Sequence, residues 1–202
     1  MNQNNKFIFP FFLIIFFLTV GFEYFNKSAI SINFQTNSRN FQIIWSKNYR
    51  LKWSDFKGLP DKNSSFKAVT TSALKVDVNL HNNQKIEYEI KAIFEKNKSW
   101  TKSDGIELLA HEQLHFDMAE LVLRKMRKKL AKYKFIDVED LNKVVNLYFN
   151  EAVKERSELG QKYDDETEHG INKEYQKKWH LLITSELNLL EQYSSPLVAI
   201  LR

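Results

Sequence analysis

The chain contains no cysteine. Disulfides, thiolate metal sites, cysteine nucleophiles and lipid attachment through sulfur are excluded together. Compartment stays open, because exported proteins also fold without disulfides. Internal repeats and low-complexity tracts are missing as well. No nucleic-acid-binding motif accompanies the net charge of +5 and the pI near 9.2. The densest basic run, Arg124 to Lys134, falls where a long helix is expected to end. Cations there suit the negative end of the helix dipole. The run reads as a solvated helix terminus, the alternative being an acidic partner or a membrane surface.

What the 202 residues do hold is ordinary globular composition, 43% hydrophobic and 27% charged, enough for one domain with a core. The amino terminus stands apart. Phe7 to Val20 is uncharged and almost wholly apolar, with Lys6 before it and polar residues from Glu23. That is the layout of a signal peptide. The run is shorter than the roughly 20 apolar residues that span a bilayer comfortably, and Pro10 interrupts it. Residues 1–27 are expected to be a signal peptide or an amino-terminal anchor, with 28–40 as a linker. Either reading puts the remainder outside the cytoplasm, secreted or in the periplasm or cell envelope, with attachment to the membrane through this segment if it is not cleaved.

Residues 41–193 are expected to form one domain in two unlike halves. Phe41 to Trp45, Thr70 to Leu80 and Ile86 to Phe94 read as strands, the last two alternating with a period of two. His81 to Gln84 reads as the hairpin turn between them. From Ser103 the period becomes helical. A first helix is expected from a cap at Ser103 or Asp104 to about Ala131, and a second from the cap Asp137 to a stop near Gly160. A third is expected from about Ile171 to Glu191. Ser194 to Pro196 ends it and leaves a short apolar tail, 194–202. The expected fold class is α+β, a small antiparallel sheet followed by a three-helix half that carries a zincin-like His-Glu-x-x-His helix.

That motif is His111-Glu112-Gln113-Leu114-His115. One helical turn brings both imidazoles to one face, the spacing two nitrogen ligands need to reach one zinc ion. Glu112, rotated by about 100°, suits a general base acting on a water whose pKa zinc lowers toward about 7. Catalytic zinc usually takes a third protein ligand. The metzincin extension is excluded, because Met118 and Leu121 stand where it needs Gly and His. His81 sits in the expected turn, and His180 between Trp179 and Leu181 in the third helix. His169 lies in the polar cluster Tyr163 to Gly170, read as a loop between helices. His169 is therefore the expected third ligand, with a carboxylate from Asp164, Asp165, Glu166 or Glu168 as the alternative. Asp164 or Asp165 could orient an imidazole. Tyr163 reads either as an oxyanion donor or as a buried structural tyrosine.

Three stretches together resemble the bacterial family described as predicted secreted zinc-dependent proteases, a domain of unknown function. Leu51-Lys-Trp-Ser-Asp-Phe-Lys-Gly-Leu-Pro60 resembles its Trp-x-Asp-Phe-x-Gly-x-Pro opening. Leu108 to Asp117 resembles its zinc helix. Tyr163-Asp164, Thr167-x-His169-Gly170, Gln176 and Trp179 resemble its closing signature. The likeness spans about residues 45 to 190. It implies zinc, export and a peptidase-like site, and adds weight to His169 as a ligand. Trp53, Phe56, Gly58 and Pro60 of the opening read as a packed turn rather than as catalytic groups.

The functional expectation is an extracytoplasmic zinc-dependent hydrolase, a metallopeptidase with one Zn2+ held by His111, His115 and His169, Glu112 as base, and a peptide or protein as substrate. The alternative is a zinc-stabilised, non-catalytic scaffold or binding domain at the cell surface, in which a fourth protein ligand closes the site.

Overall fold

The computed structural model describes residues 41–81 and 85–201, all within the compact unit of residues 35–202. The amino-terminal targeting segment, the expected linker and most of the expected hairpin turn lie outside these residues. Among the described residues no helix is long and apolar enough to cross a membrane.

In chain order the elements are β1 (Gln42–Ile44), β2 (Ala68–Val69), β3 (Ser72–His81), β4 (Lys85–Glu95), β5 (Trp100–Thr101), α1 (Ile106–Lys132), α2 (Val138–Thr167), α3 (Lys173–Leu189) and β6 (Leu197–Leu201). The fold class is α+β, a small antiparallel sheet with three helices. β4 is the centre of the main sheet. β3 pairs along one edge, Ser72 opposite Phe94 through His81 opposite Lys85. On the other edge β1 pairs with Gln42 opposite Glu95, and β6 with Lys85 opposite Leu201. The short strands β2 and β5 form a separate antiparallel pair.

The period of two in β4 has the predicted effect. Tyr88, Ile90, Ala92 and Phe94 are buried on one face and pack against Phe116, Ala119, Leu123 and Met126 of α1 and Leu141 and Val145 of α2. A second cluster on α1, Leu114, Met118 and Leu121, meets Tyr163 of α2 and Trp179 and Ile183 of α3. Helix α1 is thus covered on several sides, as a helix at the centre of a domain must be. The opening motif is structural. Trp53 packs edge-on against Phe56, and Phe56 against Phe94. A Cβ at Gly58 would stand 2.9 Å from the carbonyl oxygens of Asn97 and Ser99, so only glycine fits there.

Four expectations need correction. Helix α1 starts from Gly105 without a side-chain cap, so neither Ser103 nor Asp104 serves. Helix α2 does begin at Asp137, whose carboxylate accepts from the Asp140 N–H, but it runs past Gly160 to Thr167. A glycine costs a helix only about 1 kcal/mol, and here it packs beside the His115 ring. The basic run is not simply a solvated terminus, since Arg124 and Arg127 are buried. The apolar tail is β6, and it completes the edge of β4.

Candidate metal centre

Because α2 continues past Gly160, Tyr163 and Asp164 occupy its last turns rather than a loop. They meet the face of α1 that carries His111 and His115. The His111 ring stacks on Tyr163 at 4.5 Å, and the His115 ring meets Tyr163 edge-on at 5.0 Å. Asp164 Oδ1 then lies 3.1 Å from His111 Nε2 and 3.0 Å from His115 Nε2, and the two Nε2 atoms are 3.3 Å apart. Among the described residues, this His111–His115–Asp164 group is the one that could hold a metal ion.

The tautomer of His111 strengthens that reading. Gln176, from α3, accepts through Oε1 from the Tyr163 hydroxyl at 2.8 Å and from His111 Nδ1–H at 3.1 Å. With Nδ1 protonated, the His111 Nε2 lone pair faces Asp164 and His115. Donor atoms 2.0–2.1 Å from a tetrahedral ion stand roughly 3.3 Å from one another. The observed separations of 3.0–3.3 Å fit such a set. Burial alone would raise the Asp164 carboxyl. The hydrogen bonds and charges of His111 and His115 outweigh it and hold Asp164 well below the usual carboxylate range.

A tight turn follows. Glu168 (φ 51°), His169 (φ 55°) and Gly170 (φ 86°) are all left-handed. Non-glycine residues adopt this region at some cost, and such strain gathers at functional sites. The turn is pinned by Thr167, whose hydroxyl donates to the Tyr163 carbonyl at 2.6 Å and accepts from the Gly170 N–H at 3.3 Å. A Cβ at Gly170 would lie 3.1–3.2 Å from His111 ring and Cβ atoms, so the absent side chain is what lets the turn close over the imidazole.

His169 stands at the edge of the group. Its Nδ1 is 3.8 Å from Asp164 Oδ1, its side chain is 54% exposed, and its ring meets Phe66 edge-on at 5.2 Å. The carboxylate that joins the two histidines is Asp164, one of the alternatives the sequence left open. Of the others, His180 is exposed on α3, and His81 closes β3 opposite Lys85.

His111, Glu112, His115, Asp164 and His169 line a cleft of about 690 Å3 together with the segment Ser65–Thr70. Glu112 is buried, lines the cleft, and hydrogen-bonds to no described residue through its carboxylate. Its main-chain carbonyl accepts from the Thr70 hydroxyl at 3.3 Å, which ties the helix to that segment. Tyr163, fully buried, spends its hydroxyl on Gln176, and burial pushes its pKa far upward. It serves as a platform for both imidazoles.

Residues 27–170 match the profile of a family of bacterial proteins of unknown function (DUF922). The chain belongs to this family. The DUF922 match takes in β1 to β5, α1, the whole of α2 and the left-handed turn, and so includes every residue of the metal group. Gln176 and Trp179 lie beyond it. No curated protein and no solved structure matches the chain significantly.

One contributor escaped sequence reasoning, and a second was named without its role. The cleft wall at 65–70 carries no residue pattern that announces a site. Gln176 was visible as part of the closing signature, but its role depends on α3 folding back onto α1. A helix stop placed at Gly160 hides that Tyr163 and Asp164 share a helix.

Proposed function

We propose that the chain is an extracytoplasmic zinc-dependent hydrolase, and more narrowly a metallopeptidase. The observation that carries the reading is the convergence of two imidazole nitrogens and one carboxylate oxygen beside an unpaired, buried Glu112 in an open cleft. Two histidines and a carboxylate are a donor set that suits zinc with a position left for chemistry. His111, His115 and Asp164 would hold the ion. When bound, zinc supplies Lewis acidity and lowers the pKa of water toward about 7. Glu112 accepts the proton of the attacking water on its free carboxylate and returns it to the leaving group, an amine where the substrate is a peptide. Gln176 and Tyr163 keep His111 in the tautomer that offers Nε2. The apolar stretch Phe7 to Val20 supports export, and the cleft takes its substrate outside the cytoplasm.

One observation favours a second reading. His169 Nδ1 lies close enough to Asp164 that a side-chain rotation would bring it toward the same ion. Four protein ligands would close the site and make zinc a structural element of a surface scaffold.

Metal analysis of the full purified chain, beside Glu112→Gln and His169→Ala, separates the two. The hydrolase reading expects one zinc per chain in all three, with peptide hydrolysis falling about 10²–10⁴-fold in Glu112→Gln. No metal after loading, or equal turnover in Glu112→Gln, overturns it. Zinc lost in His169→Ala from a wild-type chain that cleaves nothing establishes the scaffold.

A further inference from the structure

Strand β3 has a partner on one side only. It ends the main sheet, whose order is β1, β4, β3, and its pairing with β4 runs unbroken from Ser72 to His81. The Glu95 N–H donates to the Thr71 carbonyl at 2.9 Å. In an antiparallel ladder this fixes the alternation, so the odd-numbered residues of β3 turn their main-chain groups to β4. Those of Ser72, Leu74, Val76 and Val78 point the other way, and among the described residues no strand pairs with that edge.

An open edge invites another strand, and proteins usually blunt it by brevity, proline, a bulge or a covering element. The opposite border of the sheet is brief, with β1 of three residues and β6 of five. β3 is different. Its ten residues hold no proline and no glycine, and its register has no bulge. Leu74 and Val76 pack against the core, while Val78 on the same face is 51% exposed.

The one blunting device present is charge. Lys75 and Asp77 stand on the outer face 3.0 Å apart, and Asp77 is also 3.1 Å from Lys91. A half-exposed pair of this kind contributes little by itself. Its spacing matters for a second copy. In an isologous antiparallel pairing, each residue meets its counterpart across a two-fold axis. With the axis at Val76, the outward main-chain groups of Leu74 face those of Val78 in the other copy, and Val76 faces itself. Lys75 then stands opposite Asp77 at both crossings, in the closely spaced positions where opposite charges favour pairing. A slip of two residues either way sets Lys75 against Lys75 or Asp77 against Asp77, which is unfavourable.

We propose that two copies of the chain pair antiparallel through β3, about a two-fold axis at Val76, so that their sheets join into one. Metal binding plays no part in this contact.

The test is analytical ultracentrifugation of the full chain over a wide range of concentration. A reversible dimer is expected. Lys75→Glu and Asp77→Lys each put like charges at both crossings and should weaken dimerisation about tenfold. An equimolar mixture of the two variants should recover the wild-type association, because every crossing then holds opposite charges. Hydrogen exchange supplies a second readout that needs no substitution. The amides of Leu74, Val76 and Val78 should gain protection as concentration rises, while those of Ala73, Lys75 and Asp77, bonded to β4, are protected throughout. If Asp77→Lys fails to fold, Lys75→Glu and the exchange pattern decide. A monomer at every concentration overturns the proposal and leaves the edge to another occupant. Association that neither substitution weakens overturns it too, as does a mixture no tighter than its components, or exchange at Val76 that ignores concentration.

Discussion

On one side of α1, two imidazoles and a carboxylate bring lone pairs to a single point; on the other, the guanidinium ions of Arg124 and Arg127 meet the carboxylates of Glu120 and Glu191. The first cluster is a donor set that could hold a metal ion. The second meets its own charges, Arg127 pairing with Glu120 and Arg124 with Glu120 and Glu191. Both lie largely inside the protein on the same helix, where solvent does little to relieve a polar group left without its partner. The lesson concerns what holds each cluster together. Around His111, uncharged groups do the holding, namely Tyr163, Gln176 and the bare Cα of Gly170. Around Glu120 the charges hold one another. Removing one member should therefore change ligand affinity on the first side and folding stability on the second.

Glu120→Ala should have the largest effect on the fold. It leaves Arg127 without a carboxylate and Arg124 with only the half-exposed Glu191, and should cost about 3–5 kcal/mol. Denaturant unfolding measures the loss, and the fraction that remains folded should still bind metal normally. Metal affinity falling in step with stability would break the comparison.

Gln176→Ala is the reverse. It frees the His111 tautomer and leaves the Tyr163 hydroxyl without its acceptor, so metal affinity should fall about 10–100-fold, read by competition with a chelator. Stability should change by much less than in Glu120→Ala.

Gly170→Ala forces a side chain into a left-handed position and against His111. A cost of about 1–3 kcal/mol is expected by thermal unfolding, with weaker metal binding. If stability drops and metal binding is unaltered, the turn does not position the imidazole.

The smallest effect tests a buried carboxylate outside both clusters, Asp55. Burial raises the Asp55 carboxyl, but the Lys52 N–H, the Tyr49 hydroxyl and the Lys96 ammonium outweigh it, so its folded pKa is lowered. A lowered carboxylate contributes stability that is present above its unfolded pKa of about 3.9 and is lost as pH falls through the folded value. Asp55→Asn should flatten that part of the acid limb of stability against pH. An unchanged acid limb would assign the loss to other carboxylates.

The two clusters also differ in how far the sequence discloses them. The His111–His115 spacing is local, set by one turn of helix, so it is visible without any tertiary knowledge. The β4 alternation and the Asp137 cap are local in the same way. Glu120, Arg124 and Arg127 follow the same helical spacing, yet charged residues at i, i+4 and i+7 describe a solvated face equally well. Only the arrival of Trp45, Leu187, Glu191 and Tyr193 from distant parts of the chain makes them interior. Asp164 was blurred for a related reason. Gly160 reads as a terminator, and nothing local reveals that the helix continues past it to Thr167. The strand at Leu197–Leu201 depends on an edge of β4 that a one-dimensional reading cannot see.

That strand bears on the order in which the molecule assembles. Residues 85–89 of β4 receive partners on one side from β3, close by in the chain, while the other side waits for Leu197–Leu201, more than a hundred positions later. The hairpin and the helices can form from near neighbours, whereas this last pairing must close a very long loop. Until it does, the central strand keeps an open border beside an apolar face, the place where a second unfinished copy could dock. Five late residues thus complete the pairing of the sheet's central strand.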